Sequence, residues 1–358
     1  MPPDWRSASS RRAGSAGTAS AGLAMLVAVW YGASVVAIAS AKTVLLIAPA
    51  PATLCAVQFA IAALGAWQLQ GASHAQQPQA LSSMPEFRLI LGIATTYACG
   101  FLLTNAAIGV AAPSLVETFK AAEPISTVAL AVLFLGEREK LTTYLSLFPI
   151  MTGVAIASSS RATFSAAGMA LSLASNVSFS GRAVLTKALK RRFPGSRAST
   201  SDAYLFYHVS RLGVLMLLPF VILLDAGTIA SVLRPARPNA TPRDASSPSG
   251  SADGSGGTAH LLLWLLINAC AHASYNGVSF VVLGRVSVAT HAVLNIVRRI
   301  VCIAAAAIFF GTPVSAWNWL GVGLAGAGVA AFARSKERGA AEGRSLPRYM
   351  VSGKARAV

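Results

Sequence analysis

Long apolar segments recur along most of the chain, separated by short polar or charged stretches. A helix needs about 20 mostly apolar residues to cross the hydrocarbon core of a bilayer. The pattern therefore predicts an all-α polytopic membrane protein with ten transmembrane helices. In chain order these cover approximately 23–41, 52–70, 87–110, 114–135, 144–159, 166–185, 202–224, 260–283, 289–310 and 314–333. The third and fourth meet so closely at Ala112 and Pro113 that one long broken helix is the alternative.

Three stretches lack this apolar pattern. Residues 1–21 and 338–358 are predicted to be flexible tails, the second of them basic, on either side of a ten-helix transporter domain over 22–337. A segment over about 226–259 is rich in Pro, Gly and Ser and has no apolar periodicity. We expect it to form a disordered loop between the seventh and eighth helices.

Two similar strings indicate an internal repeat. VLFLGEREK follows the fourth predicted helix and AIFFGTPVS follows the ninth, and aligning Gly136 with Gly311 places these helices over each other. The two halves then cover 22–160 and 161–337. Because an odd number of helices in each half reverses the direction of the second, the alignment predicts a 5+5 inverted repeat. Binding sites in such transporters lie near the membrane midplane, between the repeats.

The composition agrees with a membrane protein and explains its basic character. Hydrophobic residues make up 54% of the chain and charged residues only 11%, against about 25% charged in ordinary soluble domains. Lys and Arg total 29 and Asp and Glu total 12, which gives a net charge of +17. With ten helices, most cations outside the membrane fall on the side that holds both termini, as the positive-inside rule requires. The charge therefore needs no nucleic-acid partner.

Signatures of an enzyme or a metal site are missing from the sequence. Four cysteines, Cys55, Cys99, Cys270 and Cys302, each lie inside an apolar run without Cys-x-x-Cys or Cys/His spacing. The predicted helices contain no His-Glu-x-x-His, Asp-x-x-Asp or Ser/His/Asp arrangement. We therefore expect neither an enzyme nor a bound metal or cofactor.

Six basic residues remain inside or at the edge of the predicted helices. An intramembrane Lys or Arg costs at least about 2.5–3.5 kcal/mol and usually faces a polar cavity or a partner. For Lys42 and Arg211, which lie nearest to helix ends, the simple interpretation is that the side chain extends to the membrane surface. The six are Lys42, Lys120, Arg182, Arg211, Arg298 and Arg299.

The most deeply placed cations favour an anion site. Lys120 has Glu117 and Glu123 three residues away on either side, so these carboxylates can neutralise it as an alternative to a ligand. Arg298 and Arg299 lie in the middle of the ninth predicted helix, which contains no carboxylate. Arginine binds phosphate with two parallel hydrogen bonds, and lysine adds a point charge. An anion in a central cavity between the halves accounts for these three cations together.

Four blocks of sequence resemble the plastidic phosphate translocators, the triose-phosphate/phosphoenolpyruvate transporter group of the drug/metabolite transporter superfamily. They begin with WYGASVVAIASAKTVLLIAPAPATLCAVQF and LLTNAAIGVAAPSLVETFKAAEPISTVALAVLFLGE. They continue with ASNVSFSGRAVLTK and RVSVATHAVLNIVRRIVCIAAAAIFFGTPVS. These blocks occupy 30–59, 102–137, 174–187 and 285–315 and cover most of the ten predicted helices.

The resemblance implies an antiporter that exchanges inorganic phosphate for a phosphorylated C3 metabolite by alternating access. It implies substrate contacts for Thr104, Lys120, Tyr275 and Arg299, each of which matches a residue of a family motif. Arg298 stands where the family usually has Lys and is included in the same set. The other motif or intramembrane residues are interpreted as gate or structural positions. These are Lys42, Glu117, Glu123, Arg182, Lys187 and His291.

Two departures from the family pattern bear on selectivity. Phe101 stands where triose-phosphate translocators carry His, and Glu117 replaces a usual His. The string GFLLTN most resembles the phosphoenolpyruvate subgroup, in which the first of these His residues is also absent. Phe101 is therefore a candidate for substrate selectivity, with packing against a neighbouring helix as the alternative.

The location is indicated by the family and by the first residues. The resemblance implies a multi-pass protein of the plastid envelope, and the N-terminal stretch is rich in Arg and Ser, as transit peptides are. The alternative is a nucleotide-sugar transporter of the endoplasmic reticulum or Golgi, which the paired Arg298 and Arg299 disfavour. The expected partners are the lipid bilayer, inorganic phosphate and a phosphorylated metabolite. The pattern does not indicate an oligomeric state.

Overall fold

Helices make up all the regular secondary structure that the computed structural model describes, in residues 5–72, 83–136, 140–157, 165–233, 254–283, 285–286, 288–312 and 314–345. Within these ranges there are fourteen α-helices and a π-helical turn, Val221–Asp225. The α-helices are α1 Trp5–Ile47, α2 Pro51–Ala72, α3 Met84–Val110, α4 Pro113–Lys120, α5 Glu123–Leu135, α6 Leu141–Leu145, α7 Leu147–Ala157, α8 Ala166–Arg192, α9 Arg197–Thr200, α10 Asp202–Phe220, α11 Ala226–Leu233, α12 Gly254–Leu283, α13 Val288–Phe309 and α14 Ala316–Ser345.

Seven of the described helical segments are long and apolar enough to cross a membrane. They are Gly22–Ile47, Pro51–Gln68, Met84–Val110, Pro113–Leu135, Asp202–Val232, Gly257–Ser279 and Ala316–Lys336. A further apolar stretch, Leu141–Ala157, is shorter. These helices fit the predicted all-α polytopic membrane protein. Each of the ten predicted segments overlaps a helix, but the count of ten membrane crossings stays a prediction.

The tails and the long loop differ from their predicted boundaries. Helix α1 begins at Trp5 and α14 continues to Ser345, so both extend into the stretches predicted to be tails. The N-terminal stretch is rich in Ala, a strong helix former, and contains no Pro after its third residue. Both ends of the predicted loop over 226–259 are helical, in α11 and α12. The middle of that loop, the boundary between the predicted halves, and the last 13 residues lie outside the described ranges.

Two breaks interrupt the chain around the predicted fourth helix. The first separates α3 from α4 at Ala111 and Ala112, so the structure has two helices there rather than one. The second separates α4 from α5 at Ala121 and Ala122, directly after Lys120, and the sequence interpretation missed it. The Ala122 N–H reaches back only three residues, to the Phe119 carbonyl at 3.1 Å. Pro124 lies just beyond, and it has no N–H to donate to the Lys120 carbonyl four residues back, with which its ring would clash in a continuous helix.

The second break is stabilised from α8. The Asn176 side-chain amide donates to the Phe119 carbonyl at 2.9 Å. That carbonyl lies at the interrupted end of α4, where the regular hydrogen-bond ladder stops. The same carbonyl also accepts from the Ala122 N–H, so the Asn176 bond adds a second donor and ties the end of α4 to α8. The break therefore holds Lys120 at a helix end within the protein.

Several pairs of helices pack closely against each other. Helix α8 packs along α3, α1 along α12, α2 against α10 and α7 against α14. Between α7 and α14, a Cβ added to Gly153 would collide with the Ala325 backbone, and one added to Gly321 would lie 2.5 Å from the Gly153 carbonyl. Small residues allow such close approach, which drives helix association in membranes. Large apolar side chains such as Leu223 and Ile308 are 80% and 83% exposed, as lipid-facing positions are.

Candidate substrate cavity

A cavity of about 200 Å³ lies among α1, α2, α3, α4, α5, α8, α12 and α13. Predicted site residues from both halves of the sequence line it together. The lining residues are Trp30, Ser34, Ala37, Ile38, Ala41, Gln58, Tyr97, Phe101, Thr104, Asn105, Ile108, Glu117, Lys120, Glu123, Phe179, Arg182, His272, Tyr275, Asn276, Ser279, Asn295, Arg298 and Arg299. All five predicted substrate contacts, and Phe101, are in this set.

Several polar lining residues were missed by the sequence interpretation. His272, Tyr275, Asn276 and Ser279 lie at intervals of three, four and seven residues on α12, so they share one face of the helix. Tyr275 alone was predicted, from a motif match. The signal was the helical spacing of polar side chains inside an apolar segment, and it was available in the sequence.

Lys120 is held by a hydroxyl rather than by a carboxylate. Its Nζ donates to Thr104 Oγ1 at 3.0 Å, and the ammonium lies 4.7 Å above the Phe179 ring. Thr104 Oγ1 is also 2.8 Å from Ser175 Oγ, and it lies 2.8 Å from the Gly100 carbonyl, to which it donates. Lys120 and Thr104 are 8% and 6% exposed. Two predicted phosphate contacts are therefore adjacent.

Arg299, rather than Lys120, forms ion pairs with the two carboxylates that lie near Lys120 in the sequence. Its Nη1 donates to Glu117 Oε2 at 3.3 Å and its Nη2 donates to Glu123 Oε2 at 3.0 Å. Within the part of the chain that the structure describes, neither carboxylate forms an ion pair with Lys120. Arg299 is therefore paired with two carboxylates in this structure, and its contact with a substrate stays a prediction. The two pairs join α4 and α5 to α13, across the predicted halves.

Arg298 faces the cavity beside aromatic and amide groups. Its Nε donates to Asn295 Oδ1 at 2.9 Å, and its guanidinium lies 5.9 Å from the centre of the Tyr275 ring. The Tyr275 ring in turn meets His272 edge to face at 5.3 Å. Because Arg298 and Arg299 point in different directions on α13, one contacts α12 and the other contacts α4 and α5. The two guanidinium groups therefore contact different parts of the cavity wall.

Arg182 and Phe101 lie on an aromatic wall. The Arg182 guanidinium is 5.3 Å from the Tyr97 ring centre and 5.8 Å from that of Phe179. Its buried Nε has no hydrogen-bond partner among the described residues. The Phe101 ring meets Tyr97 at 4.9 Å and Phe179 at 5.0 Å, both edge to face. Phe101 therefore both lines the cavity and packs against neighbouring helices, which combines the two interpretations.

The remaining three predicted positions lie outside the cavity lining. Lys42 donates to the carbonyls of Ile108 and Ala111 at 2.8 and 3.1 Å and so caps the end of α3. His291 stacks on Trp30 at 5.0 Å, and its Nε2 is 3.1 Å from a hydroxyl of α12. Lys187 is exposed on α8.

The cavity walls are partly tied together by a buried amide chain. The Asn105 amide donates to Gln58 Oε1 at 3.0 Å, and Gln58 donates to Asn268 Oδ1 at 2.8 Å. Asn268 donates to the Ala37 carbonyl at 2.7 Å. All three amides are 3% exposed or less. Satisfied polar networks of this kind hold neighbouring helices in a defined arrangement.

The charges around the cavity suit a dianion. Lys120, Arg182, Arg298 and Arg299 line it together with the carboxylates of Glu117 and Glu123, so four cations and two anions leave a formal charge of +2. The surrounding protein and membrane screen charge poorly, which strengthens the attraction for a ligand of opposite sign. A phosphate dianion carries a charge of −2, which balances this excess.

Comparison with known proteins identifies the family. The family model described as the triose-phosphate transporter family matches residues 21–333. The chain belongs to this family. It is 33% identical over 311 residues to phosphoenolpyruvate/phosphate translocator 2, chloroplastic, of Arabidopsis thaliana, with 86% of this chain and 75% of that protein covered.

Two further relatives are also named as phosphate translocators. The chain is 34% identical to phosphoenolpyruvate/phosphate translocator 1, chloroplastic, of Oryza sativa subsp. japonica, over 88% of this chain and 72% of that protein. It is 31% identical to a triose phosphate/phosphate translocator of non-green plastids from Brassica oleracea var. botrytis, over 88% and 73%. The resemblance inferred from the sequence is thus confirmed. The protein is a transporter and not an enzyme, and these relatives give no support to a Golgi or endoplasmic reticulum nucleotide-sugar transporter.

Proposed function

We propose that this protein is an antiporter of the plastid envelope, which exchanges inorganic phosphate for a phosphorylated C3 metabolite by alternating access. The observation that carries the proposal is the cavity of net charge +2 that joins cations from both halves of the sequence. Relatives named as chloroplastic phosphoenolpyruvate/phosphate and triose phosphate/phosphate translocators support the substrate class and the membrane. Among the C3 metabolites we favour phosphoenolpyruvate.

The phosphate group is assigned to the basic end of the cavity. Lys120, Arg298 and Arg299 supply charge, and the Tyr275 hydroxyl supplies a hydrogen bond. Thr104 donates to the phosphate when its hydroxyl turns away from the Gly100 carbonyl. The 3.0 Å contact between Lys120 Nζ and Thr104 Oγ1 supports the proposal that both side chains contact the same phosphate group. On binding, the phosphate competes with Glu117 and Glu123 for the guanidinium of Arg299.

The helix contacts support the 5+5 inverted repeat. If the second half repeats the first, α8, α10, α12, α13 and α14 correspond to α1, α2, α3, α4 with α5, and α7. The contact of α3 with α8 then has its counterpart in α12 with α1, and that of α2 with α12 in α10 with α3. The contact of α5 with α8 likewise corresponds to α13 with α1.

The aligned glycines add a second, local correspondence. Gly136 and Gly311 have φ of +62° and +60°, the left-handed conformation that ends helices. Gly136 follows α5 and Gly311 follows α13, so the two corresponding helices end in the same way. Two such halves, rocking about a shared cavity, provide the geometry of alternating access.

Strict counter-exchange is the first expected result. In the described part of the chain, Lys120, Arg182 and Arg298 have no carboxylate in ion-pair distance, so the empty cavity carries uncompensated charge. Closing the cavity around that charge without an anion removes it from water, which costs several kcal/mol per ion. Vesicles loaded with phosphate should therefore take up labelled phosphate or phosphoenolpyruvate much faster than vesicles without internal phosphate.

The measurement uses purified protein reconstituted in liposomes, with protein-free liposomes as the blank. Phosphoenolpyruvate, triose phosphate, 3-phosphoglycerate, hexose phosphate and a nucleotide sugar serve as alternative internal substrates. Equal initial rates into empty and loaded vesicles would indicate a uniporter. A nucleotide sugar as the preferred substrate would reject the proposed substrate class.

Phe101→His tests the basis of substrate preference. Phe101 donates no hydrogen bond, so a ligand without a terminal hydroxyl, such as phosphoenolpyruvate, leaves no polar group stranded beside it. We expect the variant to shift preference from phosphoenolpyruvate toward triose phosphate or 3-phosphoglycerate by about tenfold. The measurement is the ratio of kcat/KM values for exchange against internal phosphate.

Phe134→His is the matched control, because Phe134 is 69% exposed on α5 and does not line the cavity. It should keep the wild-type ranking. If Phe101→His also keeps that ranking while phosphate exchange continues, Phe101 only packs and does not set selectivity.

A further inference from the structure

His272 is a polar cavity residue without a hydrogen-bond partner for Nε2. It lies on α12, lines the cavity and is 2% exposed. Its Nε2 is buried and has no partner among the described residues. A buried polar atom left unpaired costs free energy, so such atoms usually have a partner, and one beside a cavity points to a ligand.

The surroundings of His272 fix the ring without satisfying that nitrogen. Its ring meets Phe101 edge to face at 4.7 Å and Tyr275 edge to face at 5.3 Å, and it lies 6.2 Å from the Phe59 ring. Its own backbone carbonyl accepts from Asn276 at 2.9 Å. Aromatic contacts on several sides therefore orient the imidazole, and its buried Nε2 stays without a hydrogen-bond partner among the described residues.

The position of His272 relates it to the organic part of the substrate. The His272 ring meets both Phe101, the candidate for selectivity, and Tyr275, one of the proposed phosphate contacts, so it lies between the two. Phe101 itself offers no donor. The imidazole is thus a hydrogen-bond donor on the aromatic side of the same cavity.

We propose that His272 contacts the substrate and determines selectivity, with Nε2–H donating to a carboxylate oxygen on the non-phosphate end of a phosphorylated C3 acid. The inference rests on the proposed exchange function. Inorganic phosphate has no such end, so exchange of phosphate for phosphate does not use this hydrogen bond. The contact distinguishes organic substrates from phosphate rather than supporting transport in general.

His272→Phe removes the donor and keeps an aromatic ring for packing. We expect kcat/KM for phosphoenolpyruvate to fall about tenfold to a hundredfold, because hydrogen bonds to charged groups are the stronger ones. Phosphate–phosphate exchange should change less than about twofold. His272→Asn, which retains an amide donor, should recover part of the phosphoenolpyruvate activity and provides a second variant if the first does not fold.

His208→Phe is the matched control. His208 lies on α10, is 4% exposed and has no partner for either ring nitrogen among the described residues, but it does not line the cavity. Its removal should leave the ratio of phosphoenolpyruvate to phosphate exchange unchanged. The comparison therefore separates substrate contact from the general effect of replacing a buried imidazole.

The outcomes distinguish this inference from the function on which it rests. If wild-type protein exchanges no phosphorylated C3 acid, the proposed function fails first. If wild-type exchange is normal and the His272 variants lose both exchanges equally, or neither, His272 is structural and the inference is overturned. A selective loss in His272→Phe, absent from His208→Phe, supports it.

Discussion

Replacing Lys120 with Met is expected to reduce phosphate exchange at least about a hundredfold while the protein stays folded. Removing one cation from a desolvated charge site costs about 2–5 kcal/mol in affinity. The Lys120 ammonium contacts only a hydroxyl and an aromatic ring in the described structure, so no carboxylate loses its partner. Methionine keeps most of the side-chain volume beside Phe179.

The measurement pairs liposome exchange with a thermal unfolding curve in detergent. Lys190→Met is the control, because Lys190 is exposed and pairs only with the exposed Asp202 at 3.0 Å, and such surface pairs contribute about 0–1 kcal/mol. It should retain exchange. Near-normal exchange by Lys120→Met would show that Lys120 is not part of the site. If Lys120→Met does not fold, Lys120→Arg tests the substrate role instead and should retain part of the activity.

The all-helical fold and the charged residues of the cavity followed from local sequence signals. Hydrophobic runs predicted the helices, and Lys120, Arg298 and Arg299 stood out because charge inside an apolar segment is costly. The break after Lys120 was also predictable, since Pro124 disfavours helix continuation, but the apolar run concealed it. His272 and Asn276 required the spacing of polar residues along α12 to be considered as a face.

The sequence alone could not predict which side chains from distant segments pair with each other. Arg299 and Glu117 are 182 residues apart, and nothing in either segment specifies the other. A carboxylate three residues from Lys120 is the expected partner when only one helix is considered, although side chains on both sides of a cavity compete for it. The same holds for Lys42, whose partners are carbonyls at the end of another helix.

The negative charge of Glu117 affects both the net charge of the cavity and the position of Arg299. A carboxylate at this position lowers the formal charge of the cavity by one relative to a neutral side chain. It also forms an ion pair with Arg299 that ties α13 to α4. Under the proposed function, a phosphate that displaced this carboxylate would replace one ion pair by another and so couple substrate binding to rearrangement of the two halves.

Replacing Arg299 with Met is expected to abolish exchange and, unlike the Lys120 change, to destabilise the protein. Glu117 and Glu123 both lose their ion-pair partner, and the Glu117 side chain is only 7% exposed. Breaking a buried pair from one side costs about 3–5 kcal/mol, because an uncompensated charge remains. The unfolding midpoint should fall by several degrees, as about 1 kcal/mol moves it by at least about 2 °C.

A triple variant separates the two roles of Arg299. Adding Glu117→Gln and Glu123→Gln to Arg299→Met removes the stranded carboxylates, so thermal stability should return toward that of the wild type. Exchange should stay absent, because the substrate still lacks its guanidinium. Recovery of transport in the triple variant would mean that Arg299 serves only to neutralise the two carboxylates. An unchanged unfolding midpoint in the single variant would contradict the ion pairs across the cavity.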